Sequence, residues 1–381
     1  GSLNEYAFHF IRQLRKKPEV DEVIMLVDHL PAGESYPADD PKTDGQAALR
    51  FVPCWRFDAI DNAPNILSAV REVAPDVMLF NLQFATFGGS RIPAALGLST
   101  PLLVKNAGFV TVVLLHNIME AVDLSKAGFG GNPIAAAVTR TAGTLFTRAL
   151  LRADLVAVTI PKYVEILTEK YKADNAFLAP HGAFDELPEP TLDLPEGRQQ
   201  VMTFGKFGTY KRVEALIKAF DMIQRRRDVP IELVIAGSDN PNVKGYLDSM
   251  KQQFAHVSNV RYTGYVAEKD VPRIFCESAV VVFPYNSTTG SSGVLHQAGS
   301  FARAVALPNL GDLAELVTEE GYVGEFFEPD DPVSMAAAIE RILENDDHRR
   351  QMGLRNFRAA QGVPIGEVVD WYLLHFERLL T

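Results

Sequence analysis

Cysteine is nearly absent from this chain, and so are long apolar runs. Only Cys54 and Cys276 occur among the 381 residues. They lie in separate predicted segments, so neither a disulfide framework nor a zinc site is favoured, and we expect a reducing, cytoplasmic compartment. No run of 18 apolar residues and no signal-peptide pattern is found, which leaves peripheral contact with the inner face of a membrane as the membrane association to consider.

An excess of basic charge is also absent. The net charge of −11 argues against a general nucleic-acid binder, because such proteins need basic surface to displace counterions from phosphates. Three basic residues on the first predicted helix, Arg12, Lys16 and Lys17, could meet an anionic membrane, but a solvated helix face explains them as well.

Paired carboxylates of the Asp-x-Asp type are missing too. The nearest pair, Asp330-Asp331, precedes Pro332 and is predicted to cap a helix. We therefore expect no bound metal and no other cofactor. Lysines and backbone amides would have to neutralise any leaving phosphate.

What the sequence does contain is a regular alternation of short apolar runs and amphipathic helices. In the second half, the predicted strands are Val201–Phe204, Ile231–Ala236, Val260–Thr263, Ala279–Phe283, Ala304–Leu307 and a short strand near Val323, with a helix from about Lys211 to Arg227. Such alternation predicts a parallel sheet covered by helices on both faces, as in a Rossmann-like domain.

The first half repeats this pattern less cleanly. Its predicted strands are Val23–Val27, Asp76–Phe80, Val110–Leu115, Leu155–Val158 and Ala176–Ala179. Before them, Leu3, Tyr6, Phe10 and Leu14 have the spacing of a core-facing helix. A Rossmann domain opens on a strand, so we expect a first strand and a glycine-rich turn to be missing ahead of this helix. Intact-mass spectrometry giving 42.0 kDa would refute that expectation.

A segment rich in proline and acidic residues, Glu186–Gly197, separates the two halves and has no helical period, so we place the linker there. The predicted domains are 1–187 and a second one beginning at 188. Ligands of open parallel sheets bind at the carboxyl ends of the strands, and two facing sheets would form a cleft.

The turn Thr289–Gln297 leads from the apolar run Ala279–Phe283 toward a helix. Gly290 and Gly293 have no Cβ, and free backbone N–H groups at a helix start favour an anion, so we predict a phosphate-bearing ligand here. A serine N-cap on an ordinary helix is the alternative.

Two lysines follow the first strand of the second domain. Lys206, from a loop with Gly205, and Lys211, at the start of a helix, are five positions apart and could reach one diphosphate. A cation at a helix start opposes the dipole and so favours an anionic partner. Two solvated lysines are the alternative.

Candidate residues in the first half follow strands. His116 ends Val110–Leu115 and could donate to a substrate hydroxyl, or cap a turn with Asn117. His181 is a weaker candidate, with an ordinary loop histidine as the alternative. Phe84 and Phe87 either line an acceptor pocket or belong to the core.

Taken in order, several segments resemble the retaining, GT-B-fold glycosyltransferases of family four, the glycosyl transferases group 1. The resemblance covers nearly the whole chain and is carried by Gly205–Lys211, Ala236–Asp239, Tyr262–Val266, Val282–Pro284, Gly324–Pro329 and the closing segment with Trp371 and Tyr372. It implies two Rossmann-like domains facing across a cleft. The acceptor domain would be 1–187 and the nucleotide-sugar domain 188–360, with a helix in 361–381 crossing back to the first domain.

The resemblance also implies roles for individual residues. Lys206 and Lys211 would hold the diphosphate, and His116 would lie near the transferred sugar; these three are our catalytic candidates. The donor-binding candidates are Gly205, Tyr265, Val266, Thr289, Gly290, Ser291, Ser292, Gly293, Val294 and Gln297.

One departure from the family pattern is serious. The family has a glutamate, seven residues and a second glutamate, and here Thr289 and Gln297 occupy those positions. Gln297 keeps one acceptor oxygen, so we expect a loss on the order of 1 kcal/mol there. The amides of the turn, the hydroxyls of Ser291 and Ser292, and His296 could supply the missing contacts. Both a changed donor specificity and a degenerate active site remain open.

From these features we predict a metal-independent retaining glycosyltransferase. It would move a hexose, with glucose favoured, from a nucleotide sugar, with UDP favoured over GDP, to a carbohydrate or glycolipid acceptor in polysaccharide assembly. A nucleotide-sugar-binding protein of the same fold without transfer activity is the alternative. An NAD-dependent dehydrogenase ranks lower, because no Gly-x-Gly-x-x-Gly fingerprint followed by an acidic residue is present.

Overall fold

The computed structural model describes residues 2–83, 86–118, 133–183, 189–197, 199–226, 230–240, 243–287 and 292–381. Within these ranges the contacts divide the chain into two compact units. Unit 1 extends to His181 and includes Ile365–Thr381, and unit 2 extends from Gly182 to Pro364.

The strands of the described residues are β1 (Glu22–Asp28), β2 (Ala48–Trp55), β3 (Val77–Leu82), β4 (Val110–Leu115), β5 (Leu155–Val158), β6 (Ala176–Leu178), β7 (Gln199–Phe207), β8 (Ile231–Asp239), β9 (Val260–Gly264), β10 (Ser278–Val282), β11 (Ala304–Pro308) and β12 (Glu325–Phe327). The helices are α1 (Ser2–Leu14), α2 (Asn62–Val73), α3 (Arg91–Leu98), α4 (Thr100–Asn106), α5 (Pro133–Leu150), α6 (Pro161–Tyr171), α7 (Glu214–Arg226), α8 (Tyr246–Gln253), α9 (Val271–Cys276), α10 (Gly293–Ser300), α11 (Gly311–Glu319), α12 (Pro332–Glu344), α13 (Asp346–Gln361) and α14 (Ile365–Leu380).

Unit 2 contains one sheet of parallel strands in the order β12-β11-β10-β7-β8-β9. Every residue of β10 and β11 is buried, because helices cover both faces of a doubly wound sheet and leave no strand face for water. All six strands predicted for this half are present, and the parallel α/β fold is confirmed.

The strands of unit 1 form two parallel sheets, β1-β2 and β3-β4-β5-β6. Among the described residues no strand joins β1 to β3. Strand β1 is apolar, and most of its residues are only partly buried.

Strand β2 is not among the strands predicted from the sequence. Its apolar run is interrupted by Arg50 and Pro53, and proline is usually a sign against a strand. Among the described strands β2 pairs only with β1, and its Leu49 makes one isolated bridge with Asp40, so β2 is an edge strand. An edge strand tolerates a residue without an N–H group.

Helices α1 and α14 pack against each other in unit 1. The rings of Phe10 and Tyr372 meet edge to face with centroids 5.2 Å apart, and Lys17 forms a salt bridge of 2.5 Å with Asp370. The helical spacing read from Leu3 to Leu14 thus corresponds to α1, in which Tyr6 and Phe10 are buried.

Hydrogen bonds join the described part of the predicted linker, residues 189–197, to unit 2. The buried Arg303 donates to the backbone carbonyls of Thr191, Cys276 and Ser278. The guanidinium of Arg350 bonds to Asp193 at 2.6 Å. The described end of the linker is therefore part of the second unit.

Two smaller predictions can be checked directly. Asp331 caps α12 and accepts hydrogen bonds from the N–H groups of Val333 and Ser334, as predicted.

Both cysteines are free. In the described part of the chain, no helix has the length and apolarity needed to cross a bilayer.

Candidate functional site

The carboxyl end of β7 carries the first pair of predicted site residues. Gly205 pairs with Gly237 of β8 and Lys206 pairs with Ser238, so β7 continues to Phe207. Lys206 is therefore a strand residue, and placing it in a loop was wrong. The pairing with the end of β8 extends the strand past the glycine, where the sequence pattern predicts a turn.

The predicted position of Lys211 at a helix start was also wrong. Helix α7 begins at Glu214, and an acidic residue in the first turn suits the helix dipole. Lys211 lies ahead of it in an isolated antiparallel bridge with Tyr285, so its position does not depend on the dipole.

Backbone hydrogen bonds join the segment after β7 to the segment after β10. The N–H of Arg212 donates to Pro284 O at 2.9 Å, and the N–H of Asn286 donates to Tyr210 O at 3.0 Å. Since β7 and β10 are neighbours in the sheet, these bonds extend their association beyond the strand ends. Lys211 is therefore held at the carboxyl edge of unit 2, where open parallel sheets bind ligands.

The side chain of Lys211 lies over the backbone of Gly205. A Cβ built on Gly205 would lie 2.8 Å from Lys211 Nζ, and the φ angle of 138° there already favours glycine. The ammonium lies 4.9 Å from the ring centroid of Tyr285 and 5.8 Å from that of Tyr210. Within the described residues, no carboxylate forms a salt bridge with Lys211, so its charge is available to an anion.

Helix α10 begins at Gly293, and Ser292 is its N-cap residue. The Ser292 side chain makes no cap hydrogen bond; its Oγ instead lies 3.4 Å from the hydroxyl of Tyr285. A serine therefore occupies the N-cap position, as the alternative interpretation of this turn held, but its side chain makes no hydrogen bond to the helix. Thr289, Gly290 and Ser291 lie outside the described residues.

The other donor-binding candidates of unit 2 differ in exposure. Val266 and Val294 are partly buried and pack on the same apolar cluster as Tyr210 and Tyr285. Gln297 is buried within α10, and Tyr265 is 82% exposed. An exposed ring beside a glycine-containing strand end can stack on a planar group, whereas Val266 and Val294 can offer only backbone groups and apolar surface.

His296 was suggested from the sequence as a further contact to the ligand. It is buried, and its Nδ1 lies 3.0 Å from the hydroxyl of Tyr322. Its Nε2 faces Glu320 Oε2 at 3.6 Å, which is too long for a hydrogen bond. Burial, and secondarily Glu319, raises the pKa of Glu320 to about 8, so a largely neutral carboxyl faces the imidazole at pH 7.

In unit 1, His116 follows β4 and lies beside Asn81 of β3. Its Nε2 is 2.6 Å from Asn81 Oδ1, so Nε2 carries the proton and donates it to Asn81. Nδ1 can therefore accept from a substrate hydroxyl, whereas the prediction from the sequence was that His116 donates to one. The ring of Tyr6 meets the rings of His116 and His181 edge to face, with centroids 5.3 and 4.7 Å away. Burial, and secondarily His181, lowers the pKa of His116 to about 3, which keeps its imidazole neutral near pH 7.

The aromatic candidates after β3 divide between core and undescribed residues. Phe87 is buried and contacts Trp55 edge to face at 5.5 Å, so it belongs to the core. Phe84 lies outside the described residues.

The sequence analysis did not identify three residues that shape these sites. Asn81 lies one residue before the end of β3, beside the strand that His116 follows, and a polar residue just after a predicted strand could have indicated it. Tyr285 and Glu320 gave no such signal, because one follows an apolar strand like many core tyrosines and the other looks like a surface glutamate. Only the fold shows that both are shielded from water.

Chemically, unit 2 offers an ammonium that has no carboxylate partner among the described residues, a glycine-lined strand edge and a helix start, which together suit a diphosphate. Unit 1 offers a neutral histidine with its tautomer fixed. In the described ranges, no group of three His, Cys, Asp or Glu side chains could hold a metal ion.

Comparison with known proteins gives a family match within unit 2. Residues 198–345 match the family model described as Glycosyl transferases group 1. The chain is 25% identical over 221 residues to the D-inositol 3-phosphate glycosyltransferase of Corynebacterium diphtheriae, covering 53% of this chain and 51% of that protein. It is 23% identical over 155 residues to the O-antigen chain mannosyltransferase B of Escherichia coli, covering 40% of this chain and 38% of that protein. The matched regions thus span about half or less of these relatives.

Solved structures match over nearly the whole chain. Sucrose-phosphate synthase from Thermosynechococcus elongatus gives a TM-score of 0.75 at 17% identity, and the match covers 100% of this chain and 94% of the synthase chain. Anabaena HepE in complex with UDP and glucose gives a TM-score of 0.71 at 14% identity, and the match covers 99% of this chain and 96% of the HepE chain. The fold is therefore the two-domain α/β fold of GT-B glycosyltransferases, as expected.

Proposed function

We propose that this protein is a retaining glycosyltransferase that moves a hexose from a nucleotide-diphosphate sugar to a carbohydrate or glycolipid acceptor. Glucose is the favoured sugar and UDP the favoured nucleotide. The reaction would need no metal and would serve polysaccharide assembly. A cytoplasmic location, with or without peripheral membrane contact, belongs to the same proposal.

The main support is the position of Lys211 in a segment that matches glycosyl transferases group 1. Its ammonium is held at the carboxyl edge of β7, and no carboxylate of the described residues forms a salt bridge with it. Tyr285 contacts both this ammonium and Ser292, the residue before α10. A fixed cation beside a helix start is the arrangement that binds a diphosphate and stabilises it as a leaving group.

The printed names of related proteins are consistent with this choice. One relative is a glycosyltransferase that acts on D-inositol 3-phosphate, and another is a mannosyltransferase of the O-antigen chain. The HepE structure contains UDP and glucose. These are the reasons to favour a hexose and UDP for this chain.

The proposed chemistry assigns separate tasks to the two units. Lys211 and Lys206 would neutralise the diphosphate as the glycosidic bond breaks, and the departing phosphate would help take the acceptor proton in a retaining transfer. His116, neutral and with Nδ1 free of the Asn81 contact, would accept a hydrogen bond from a sugar hydroxyl.

Replacing Lys211 with alanine tests the proposal. Loss of a charged hydrogen bond costs about 1.5–3 kcal/mol, so the Kd for UDP should rise roughly 10- to 150-fold. Isothermal titration with UDP and GDP measures this, and Lys218→Ala, an exposed lysine on α7, is the control that should not change affinity. Equal affinity of Lys211→Ala and the parent protein would remove the main support for the donor site.

A nucleotide-sugar-binding protein without transfer activity is the second candidate. It is motivated by Thr289 and Gln297, which occupy the positions of the two family glutamates. A hydrolysis assay with UDP- and GDP-sugars, run on the same preparations as the titrations, separates the two. Tight nucleotide binding without turnover of any donor would favour the binding protein.

A further inference from the structure

Tyr285 lies where the two halves of the proposed donor site meet. It follows β10, is 4% exposed, and forms the antiparallel bridge with Lys211. The hydrogen bonds of Arg212 to Pro284 and of Asn286 to Tyr210 flank it on both sides. Its backbone is therefore fixed to the segment that carries the lysine.

The ring of Tyr285 contacts the charge of Lys211. The ammonium lies 4.9 Å from its centroid, within the range of a cation–π interaction, and Tyr210 supports the arrangement edge to face at 5.4 Å. A lysine ammonium on a flexible four-carbon stem would otherwise sample many positions. The two rings restrict it to the space above Gly205.

The hydroxyl of Tyr285 contacts the start of α10. It lies 3.4 Å from Ser292 Oγ, and Ser292 is buried without a side-chain bond to its own helix. Burial raises the pKa of Tyr285, so the hydroxyl keeps its proton and can donate to Ser292. One side chain thus connects a cation to a helix start.

We propose that Tyr285 is a positioning residue of the donor site, whose ring holds Lys211 and whose hydroxyl holds Ser292 so that both face one diphosphate. This inference rests on the proposed function. If Tyr285 only filled the core, its replacement by phenylalanine would leave the Kd for UDP unchanged. The Kd would then also not depend on the electron density of the ring at position 285.

The test separates the ring from the hydroxyl. In Tyr285→Phe only the hydroxyl is lost, and the Kd for UDP should rise about 2- to 10-fold. Incorporating phenylalanines with increasing fluorination at 285 keeps the size nearly constant while weakening the cation–π interaction, so the Kd should rise stepwise by about 2- to 30-fold more. In a Lys211→Met background the fluorination series should have no effect, because the cation is gone.

A matched control exists in unit 1, where Lys170 lies 5.2 Å from the ring centroid of Tyr171. The same fluorination series at 171 should leave UDP affinity unchanged. Thermal unfolding of each variant shows whether it is folded.

The possible outcomes separate a failure of the positioning role of Tyr285 from a failure of the proposed function. If the parent protein binds UDP and the Tyr285 series is flat, only the positioning role is overturned, and Tyr285 is a packing residue. If the parent protein binds neither UDP, GDP nor inorganic pyrophosphate, the donor site itself fails and the positioning role fails with it. A graded loss that disappears in the Lys211→Met background supports the proposal.

Discussion

The buried carboxyl of Glu320 makes the stability of unit 2 depend on pH in a direction unusual for an acid. Its side chain is 10% exposed, and burial raises its pKa to about 8. A carboxyl whose pKa is higher in the folded state stabilises the fold while it is protonated. That contribution is complete below pH 4.5 and is lost as the pH rises through 8.

Glu320→Gln tests this directly, because glutamine is neutral at every pH and nearly the same size. The pKa difference of about 3.5 units, at roughly 1.36 kcal/mol per unit, is worth about 4.8 kcal/mol in full, and about 3.5 kcal/mol of it is lost by the parent protein between pH 5 and pH 8. Any attraction of ionised Glu320 to His296, 3.6 Å away, would reduce this figure. The variant should therefore be more stable than the parent at pH 8 by about 2–3 kcal/mol and nearly equal to it at pH 5.

Urea unfolding at half-unit steps from pH 5 to pH 8 measures the difference. A calorimetric scan should show a midpoint for unit 2 raised by roughly 4–12 °C at pH 8, at about 2–4 °C per kcal/mol for a domain of this size. Glu315→Gln is the matched control, since Glu315 is an exposed carboxylate on helix α11, which ends just before Glu320. Parallel pH curves for Glu320→Gln and the parent would refute the reasoning.

Two further predictions concern unit 1 and the edge of the sheet in unit 2. The pKa of His116 falls to about 3 on folding, so the parent protein should lose stability as the pH falls from 6.5 toward 3. His116→Gln should lessen that loss in urea unfolding at pH 4.5 against pH 7.5, and an equal loss would contradict a His116 that stays neutral in the folded protein. Gly237→Ala would place a Cβ 1.9 Å from Gly205 O, so we expect a cost above about 3 kcal/mol in urea unfolding. Gly311→Ala, with open space around it, should stay within about 0.5 kcal/mol, and tolerance of Gly237→Ala would show that the strand ends can separate.

The sequence by itself determined the fold class and nearly every strand. Apolar runs such as Ala304–Leu307 must be buried on both faces, and that pattern is local in the sequence, so it can be read without coordinates. The Asp331 cap and the helix from Leu3 to Leu14 are local in the same sense. Strand β2 was missed because its place at the edge of a sheet, which lets it contain Pro53, is not a local property.

Only the tertiary structure decided what surrounds the reactive groups. Lys211 and Tyr285 are far apart in the sequence, and they meet because β7 and β10 are neighbours in the sheet. Asn81 fixes the tautomer of His116 because parallel strands β3 and β4 end side by side. The burial that shifts the pKa values of His116 and Glu320 comes from helices packed around them. A site depends on such long-range contacts, whereas a strand depends mainly on its own side chains.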